Sequence, residues 1–467
     1  MTSAAVGSGT VAPARPAVAG GRVAVAAAVL ALLLAAMDAT VMGTVLPSVL
    51  SDVGGGSGGG YAWLVSGFML AQVAGTPLAG WVADRLDDRI LAVGSTLVFL
   101  GASVLAGVAG SFGVLVAARV LHGLAAGAIV VSSYVIVGRV FGAERRAKAQ
   151  SMLSTVWGVA AVLGPVVGAA VTEVWGWRWV FFLNVPLCAF VVLAVLFALP
   201  KRQATSGARA PARAPGSGFP AGEYLLVTGG SALVLVGLQG GELGLGTIGG
   251  ALAALAGIVA LVLVRRFGGG LVPRRILART PSAGAALATV GACVVMYATV
   301  TVLPVRLAAS GTSTTRIAVV VGLAALGWVA GSAVTGATVA KHGYRPLLLA
   351  GAVALLISAV LSATGELAWL AGVTAGLGTG AVTATTLALI QDQSPPEQLG
   401  VATSAATMLR NLGSAAGVNG IAALTATLAT TSHHGQQNRA FWVLAAVVLV
   451  TVLAPAVTAP RRRATTG

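Results

Sequence analysis

Ala36-Met37-Asp38-Ala39-Thr40-Val41-Met42-Gly43-Thr44-Val45-Leu46-Pro47 sets one aspartate inside an apolar run that opens at Val23 and meets no proline before Pro47. A run of that length crosses a bilayer, which takes roughly 20 apolar residues. Asp38 then lies within the hydrocarbon, where a charge costs at least about 2.5–3.5 kcal/mol. An acid kept at that cost faces a watery cavity or an ionic partner. The other reading, a side chain reaching back to the interface, suits a long stem, whereas aspartate is short and lies well inside the run. Asp38 is therefore the first candidate for an ion-coupling site.

The 467 residues are 57% hydrophobic and 9% charged, against about 25% charged in a soluble domain. This excludes a soluble globular protein and predicts an all-α polytopic membrane protein. Cys188 and Cys293 are the only cysteines, and both lie in apolar runs. Neither a disulfide framework nor a metal site is expected, and no cofactor. The first run is too long, and its acid too deep, for a cleaved signal peptide. Before it, residues 1–22 are rich in Ala, Gly and Pro and read as a disordered tail. Fourteen apolar segments follow, at about 23–47, 61–82, 90–110, 112–137, 150–171, 178–199, 223–240, 245–264, 281–306, 316–340, 345–363, 367–390, 399–428 and 438–459.

Loop charges test that count. With the N-terminus inside, 22 of the 28 Lys and Arg fall in inner segments and only Arg178, Arg306, Arg316 and Arg439 in outer ones. Arg119 and Arg410 remain inside spans. This is the bias of the positive-inside rule, with both termini cytoplasmic in a cell membrane. The net charge of +16 is thus a topology signal, and nucleic acid is not an expected partner. Residues 201–222 read as a flexible linker. The basic stretch Arg265–Arg279 has two readings, a segment on the anionic inner surface or a solvated loop.

An internal repeat organises the rest. Arg119-Val-Leu-His-Gly123-Leu-Ala-Ala-Gly127 recurs as Gly372-Val-Thr-Ala-Gly376-Leu-Gly-Thr-Gly380, an offset of 253. The same offset carries Ala160 and Gly164 onto Gly413 and Gly417, and Glu144 onto Glu397. Gly80-Trp-Val-Ala-Asp84-Arg85 recurs at offset 256 as Gly336-Ala-Thr-Val-Ala340-Lys341. The expected organisation is a six-helix bundle over 23–199, a linker with two extra helices over 200–280, a second six-helix bundle over 281–459 and a tail over 460–467.

These stretches resemble the major facilitator superfamily, specifically its fourteen-helix drug:proton antiporter branch. Asp38-Ala-Thr-Val-Met-Gly-Thr-Val-Leu-Pro47 looks like the branch's first-helix motif D-x-T-V-V-N-V-A-L-P, departing at Gly43 and Val45. Gly80-Trp-Val-Ala-Asp84-Arg85-Leu-Asp87-Asp88-Arg89 looks like the loop motif G-x-L-A-D-R-x-G-R-K, which in the family latches helix ends through charge pairs. Asp87 and Asp88 replace a Gly and a base there, so Gly80, Asp84, Arg85 and Arg89 are carried over. Leu115-Val-Ala-Ala-Arg119-Val-Leu-His122-Gly123 resembles the fourth-helix motif L-x-x-x-R-x-x-Q-G, with His122 for Gln. Gly164-Pro165-Val-Val-Gly168-Ala169 resembles the fifth-helix antiporter motif, in which small residues let helices approach closely. Trp177-Arg178-Trp179-Val-Phe181-Phe-Leu-Asn184-Val-Pro186 fits the branch's W-R-W-x-F-x-x-N-x-P signature, and Arg410-Asn411-Leu412-Gly413 resembles its R-Q-L-G.

The resemblance implies two bundles rocking about a midplane site, proton-coupled export of small apolar molecules, and a monomer in contact with membrane lipids. A buried arginine needs an acceptor, and Asp38 is the natural partner of Arg119. His122, one turn on, either joins a proton relay or is simply hydrogen-bonded. One embedded acid against two embedded bases predicts neutral, zwitterionic or weakly anionic substrates over dications. Trp157, Trp328, Tyr134 and Tyr297 either line an apolar cavity or pack elsewhere. A carrier for a self-made metabolite or lipid shares the same fold and motifs. An enzyme would need clustered acids, a metal site or a nucleophile–base set; the chain offers none, and His433-His434 stand alone in an outer loop.

Overall fold

The computed structural model describes residues 21–54, 62–199, 218–238, 245–267, 269–273, 281–364, 367–420, 442–453, 455–456 and 459. Through the first half run α1 (Gly21–Val53), α2 (Ala62–Ala83), α3 (Asp88–Gly107), α4 (Phe112–Val140), α5 (Gly142–Trp175), α6 (Arg178–Phe182) and α7 (Asn184–Ala198). Two further helices follow, α8 (Ala221–Leu238) and α9 (Gly246–Phe267). The second half holds α10 (Pro281–Ala309), α11 (Thr314–His342), α12 (Tyr344–Thr364), α13 (Ala368–Asp392), α14 (Leu399–Ala415) and α15 (Trp442–Leu453). Among the described residues ten spans are long and apolar enough to cross a membrane, with α6 and α7 together forming one. Each of the fourteen predicted segments contains a helix; the apolar stretches of α9 and α15 are shorter, at Ile248–Val264 and Trp442–Leu453, and α14 continues as a wider turn over Ala416–Gly420.

Local chemistry sets the ends. Asp87 caps α3, its carboxylate accepting the Arg89 amide at 3.0 Å. α5 and α11 stop at Gly176 and Gly343, whose φ values of +88° and +78° suit a residue without Cβ. Several boundaries differ from the sequence reading, as at α5, which begins at Gly142 and not at 150. α1 carries on through Pro47 to Val53, since a proline in a membrane helix removes only one backbone donor. It also begins at Gly21, so Gly21 and Arg22 belong to its first turn and not to the tail.

The repeated glycines are where helices touch. A Cβ on Gly123 would lie 2.2 Å from the Phe68 carbonyl oxygen and one on Gly127 2.6 Å from that of Gln72, so α4 rides directly on the α2 backbone. At the repeat-equivalent positions, Gly376 and Gly380 on α13 meet the carbonyls of Ala324 and Trp328 on α11 at 2.0 and 2.3 Å. In the same way Gly164 and Gly168 seat α5 on Thr40 and Val41 of α1, while Gly413 and Gly417 seat α14 on the Val290 and Val294 carbonyls of α10. The correspondence extends across the halves. Gly80 of α2 faces Ser404 of α14, and Gly336 of α11 faces Ser151 of α5, with Cβ-to-Oγ approaches of 2.2 and 1.9 Å. Positions 151 and 404 are themselves 253 apart.

α8 and α9 cross each other at Gly237 and Gly257. α8 is tied to α2 by the Tyr224 hydroxyl, which donates to the Ala74 carbonyl at 3.1 Å. Glu223, buried in the first turn of α8, accepts the amides of Gly269, Gly270 and Val272 at 2.7–3.1 Å and so anchors the chain after α9. The far face of α9 leaves Ile248, Leu252, Leu255 and Val262 exposed, as expected of a helix against lipid.

Candidate functional site

Asp38 and Arg119 meet in the interior of the first half. Arg119 Nη1 donates to Asp38 Oδ2 at 2.5 Å, and the two residues are 4% and 1% exposed respectively. The guanidinium also donates through Nε to the Leu64 carbonyl at 3.3 Å and lies 4.4 Å over the Phe68 ring. Three helices therefore hold one cation. Two residues beyond Asp38, Thr40 turns the other way, and its hydroxyl donates to the Met37 carbonyl at 3.0 Å and to Ala160 of α5 at 3.2 Å. Gly164 makes room for it, since a Cβ there would sit 2.1 Å from Thr40 Oγ1. Pro165 lies between the two glycines that form this crossing, so the aspartate's helix is gripped from α4 by charge and from α5 by close packing.

His122 is fully buried, but its hydrogen bond leads away from the pair. Its Nε2 is 2.8 Å from Ser103 Oγ, which also accepts from Asn184 Nδ2 at 3.3 Å. Its ring stacks on Phe181 at 5.8 Å and leans on Phe99 at 4.7 Å. Of the two sequence readings, the geometry displays the hydrogen-bonded one, and it explains Asn184 in the W-R-W-x-F-x-x-N-x-P run. The start of that run closes the far end of the half: Arg178 pairs with Asp52 and donates to the Ala109 carbonyl at 3.1 Å, while Trp177 Nε1 donates to Asp52 at 3.0 Å.

The loop motif joins the two halves. Asp84 Oδ1 and Oδ2 accept the amides of Gly400 and Val401 at 2.6 and 2.9 Å, at the start of α14. An acid at a helix N-terminus answers both the free amides and the dipole. Arg139 pairs with Asp88, donates to the Ala83 carbonyl at 3.1 Å and lies 3.9 Å from Asp84. Asp88, the acid standing where the family has a base, thus holds the end of α4 to α3. Arg89 donates to the Leu199 carbonyl at 3.4 Å, and Arg85 donates to that of Trp81 at 3.3 Å and stacks on its ring at 4.2 Å. Gly80 completes the contact against Ser404.

Burial pushes the Asp84 carboxyl up to about 6, against the pull of the Val401 and Gly400 amides and of Arg139 and Arg85. An acid raised on burial binds its proton more tightly with this end closed than with it open. Acidification through about pH 6 therefore favours closure, and the effect fades as pH rises above that value. Spin labels on Leu86→Cys and Gln398→Cys should show the closed population growing on acidification, and Asp84→Asn should flatten the curve; an unchanged curve in Asp84→Asn would discard the linkage. Gly80→Val should open the same end, since overpacking of this kind costs about 1–3 kcal/mol. Ser404→Gly in the same chain should restore part of the closed population.

In the second half, Arg410 and Asn411 lie in mid-helix on α14. The Arg410 guanidinium stacks 4.4 Å over the Trp157 ring of α5, across the two halves. The sequence marks both residues without joining them. The signal that could have joined them is the repeat itself, because 157 and 410 are also 253 apart. Tyr297 and Trp328 pack edge to face with ring centroids 6.4 Å apart, whereas Tyr134 lies buried among α1, α4 and α5. His433 and His434 lie outside the described residues, as do residues 201–217 of the linker, 274–280 of the basic stretch and 460–467 of the C-terminal tail.

Residues 28–418, and again residues 286–467, match the model of the Major Facilitator Superfamily. The chain is 26% identical over 379 residues to the multidrug transporter protein MdtP of Bacillus subtilis (strain 168), covering 78% of this chain and 68% of that protein. It is 29% identical over 380 residues to an uncharacterized MFS-type transporter of Mycobacterium tuberculosis (strain ATCC 25618 / H37Rv), over 78% of this chain and 54% of that one, so it spans about half that relative's length. Among solved structures, the human organic anion transporter MFSD10 superposes with a TM-score of 0.68 at 16% identity, over 93% of this chain and 99% of that chain. The proton:xylose symporter XylE superposes with a TM-score of 0.65 at 17% identity, over 94% and 96%. At such identities the likeness speaks to the fold alone. With both repeats inside the matched residues and the same helical bundle in the solved structures, this multi-pass membrane chain belongs to the Major Facilitator Superfamily.

Proposed function

We propose that the protein exports small, largely apolar molecules across the cell membrane in exchange for protons. The observation that carries this reading is the buried Asp38–Arg119 pair, set on the helix that α5 grips through Gly164 and Gly168. Among the described residues the Arg119 guanidinium is the countercharge of the buried Asp38 carboxylate. A conformation that wets or separates the pair exposes the carboxylate and lets it exchange a proton. Substrate entry biases the same equilibrium, which is the differential interaction that coupling requires. His122 serves in this reading by fixing α4 to α3 behind the pair.

The cross-half contacts support alternating access. Asp84 on the α14 amides and the Gly80–Ser404 and Gly336–Ser151 approaches hold one end of the bundle shut, and transport requires that end to part. The excess of Lys and Arg in the inner segments supports cytoplasmic termini and, with them, a cytoplasmic Asp84 end. Relatives named as a multidrug transporter and a multidrug resistance protein support foreign substrates. Inside-out vesicles holding a proton gradient provide the test. Adding an apolar compound should collapse the gradient with the wild type and leave it intact with Asp38→Asn. A gradient untouched by any compound class, or collapsed equally by Asp38→Asn, would overturn the reading.

A further inference from the structure

Arg119 has its acid; Arg410 does not. Among the described residues the Arg410 side chain makes neither an ion pair nor a hydrogen bond, and its Nη2 is buried without an acceptor. Asn411 Nδ2 beside it is also buried without an acceptor, and so are the indole Nε1 atoms of Trp157 and Trp328. Ring and charge contacts link the residues that carry them. Arg410 stacks on Trp157. The next residue, Gly158, abuts Val329 beside Trp328, where a Cβ would lie 2.3 Å from Val329 Cγ2. Trp328 packs against Tyr297, and Tyr297 lies within electrostatic reach of Arg410, which closes the circuit over α5, α11, α10 and α14.

Buried N–H groups left unpaired beside a cation without an acid among the described residues are costly in the interior of a membrane protein. They become favourable when an anion supplies the missing acceptors. Stacking on Trp157 occupies the face of the guanidinium and leaves its edge for a planar, bidentate oxyanion. The rings of Trp157, Trp328 and Tyr297 offer flat apolar surface beside that edge.

We propose that Arg410, with Asn411, Trp157 and Trp328, binds the carboxylate of an amphipathic organic monoanion whose apolar body lies on the aromatic rings. Trp157 and Arg410 are repeat-equivalent residues, one from each half, so the bound anion bridges the two halves at the position their pseudo-symmetry relates. The proposal rests on the export reading for its role and extends it to a substrate class.

The test is equilibrium binding to the purified full-length chain in detergent, followed by tryptophan fluorescence and calorimetry with no proton gradient. Three probes share one ring system: 1-naphthaleneacetate, 1-naphthaleneacetamide and (1-naphthylmethyl)trimethylammonium. The carboxylate should bind at least about ten-fold tighter than the amide, with the ammonium weakest. Arg410→Gln should erase the carboxylate preference and retain amide binding, and Arg410→Lys should keep part of it. Sodium sulfate at equal ionic strength should compete poorly; full competition would reassign the site to inorganic anions. Equal affinity for the three probes, absence of binding by all of them, or preference surviving in Arg410→Gln would overturn the proposal, and the wild-type comparison decides even if the variants do not fold. Carboxylate preference without gradient-coupled movement would overturn export and leave the site standing. Proton-coupled export of neutral compounds without head-group preference would do the reverse.

Discussion

Arg119→Leu should strand the Asp38 carboxylate among α1, α2 and α4 and lower stability by about 3–5 kcal/mol, the usual effect of removing one partner from a buried pair. The loss comes from the ion left behind more than from the contact removed. Asp38→Leu combined with Arg119→Leu should therefore recover most of the stability, because an apolar pair of similar volume is often as stable as the ions it replaces. That double variant should nonetheless carry no proton-coupled flux. Thermal unfolding of purified protein, read beside vesicle transport, separates the two effects. If the double variant were as unstable as Arg119→Leu, the pair would be structural and the coupling role would lose its support. Asp38→Asn is the gentler probe, since it keeps the shape and leaves the guanidinium without its countercharge.

Gly376→Val should be as damaging for a different reason. The added Cβ meets the Ala324 carbonyl oxygen at 2.0 Å and the Trp328 amide nitrogen at 2.7 Å, and backbone atoms of a packed helix cannot turn aside as a flexible side chain can. The cost should exceed the roughly 1–3 kcal/mol of ordinary overpacking. Gly123→Val, the repeat-equivalent change, meets the Phe68 carbonyl at 2.2 Å and should behave alike. On α3, a Cβ at Gly101 meets nothing within 4 Å, so Gly101→Val should be tolerated. Size-exclusion profiles of the three variants would settle the point; a normal peak for Gly376→Val would mean that α11 and α13 do not cross as described.

Much of this architecture is legible in the sequence. The spans can be placed because burial in lipid depends on length and apolar content, which are sums over neighbouring residues. Asp38 and Arg119 can be paired because each is a lone charge of opposite sign in an apolar run, and each calls for a countercharge. The repeat is visible as glycines at a constant offset. Their partners are not, because most of those glycines meet carbonyl oxygens, and every residue has one. The same holds for Asp84: its latching role can be anticipated from the loop motif, but the amides of Gly400 and Val401 leave no mark in sequence. Ser103, which takes His122, is one serine among many. α1 runs on past Pro47 because its neighbours support the helix there, which a local rule about proline does not register.

The sequence by itself determined that the chain is a multi-pass helical membrane protein and which embedded charges call for a partner, because transfer energies and charge are carried by each residue wherever it goes. Only the tertiary structure decided that Asp84 closes one end on the backbone of the other half, that His122 bonds Ser103 and not Asp38, and that Arg410 lies over Trp157 with its buried Nη2 unpaired among the described residues. Those facts depend on which helix faces collide when two similar bundles pack, and that choice is made by close-packed contacts between residues far apart in the chain.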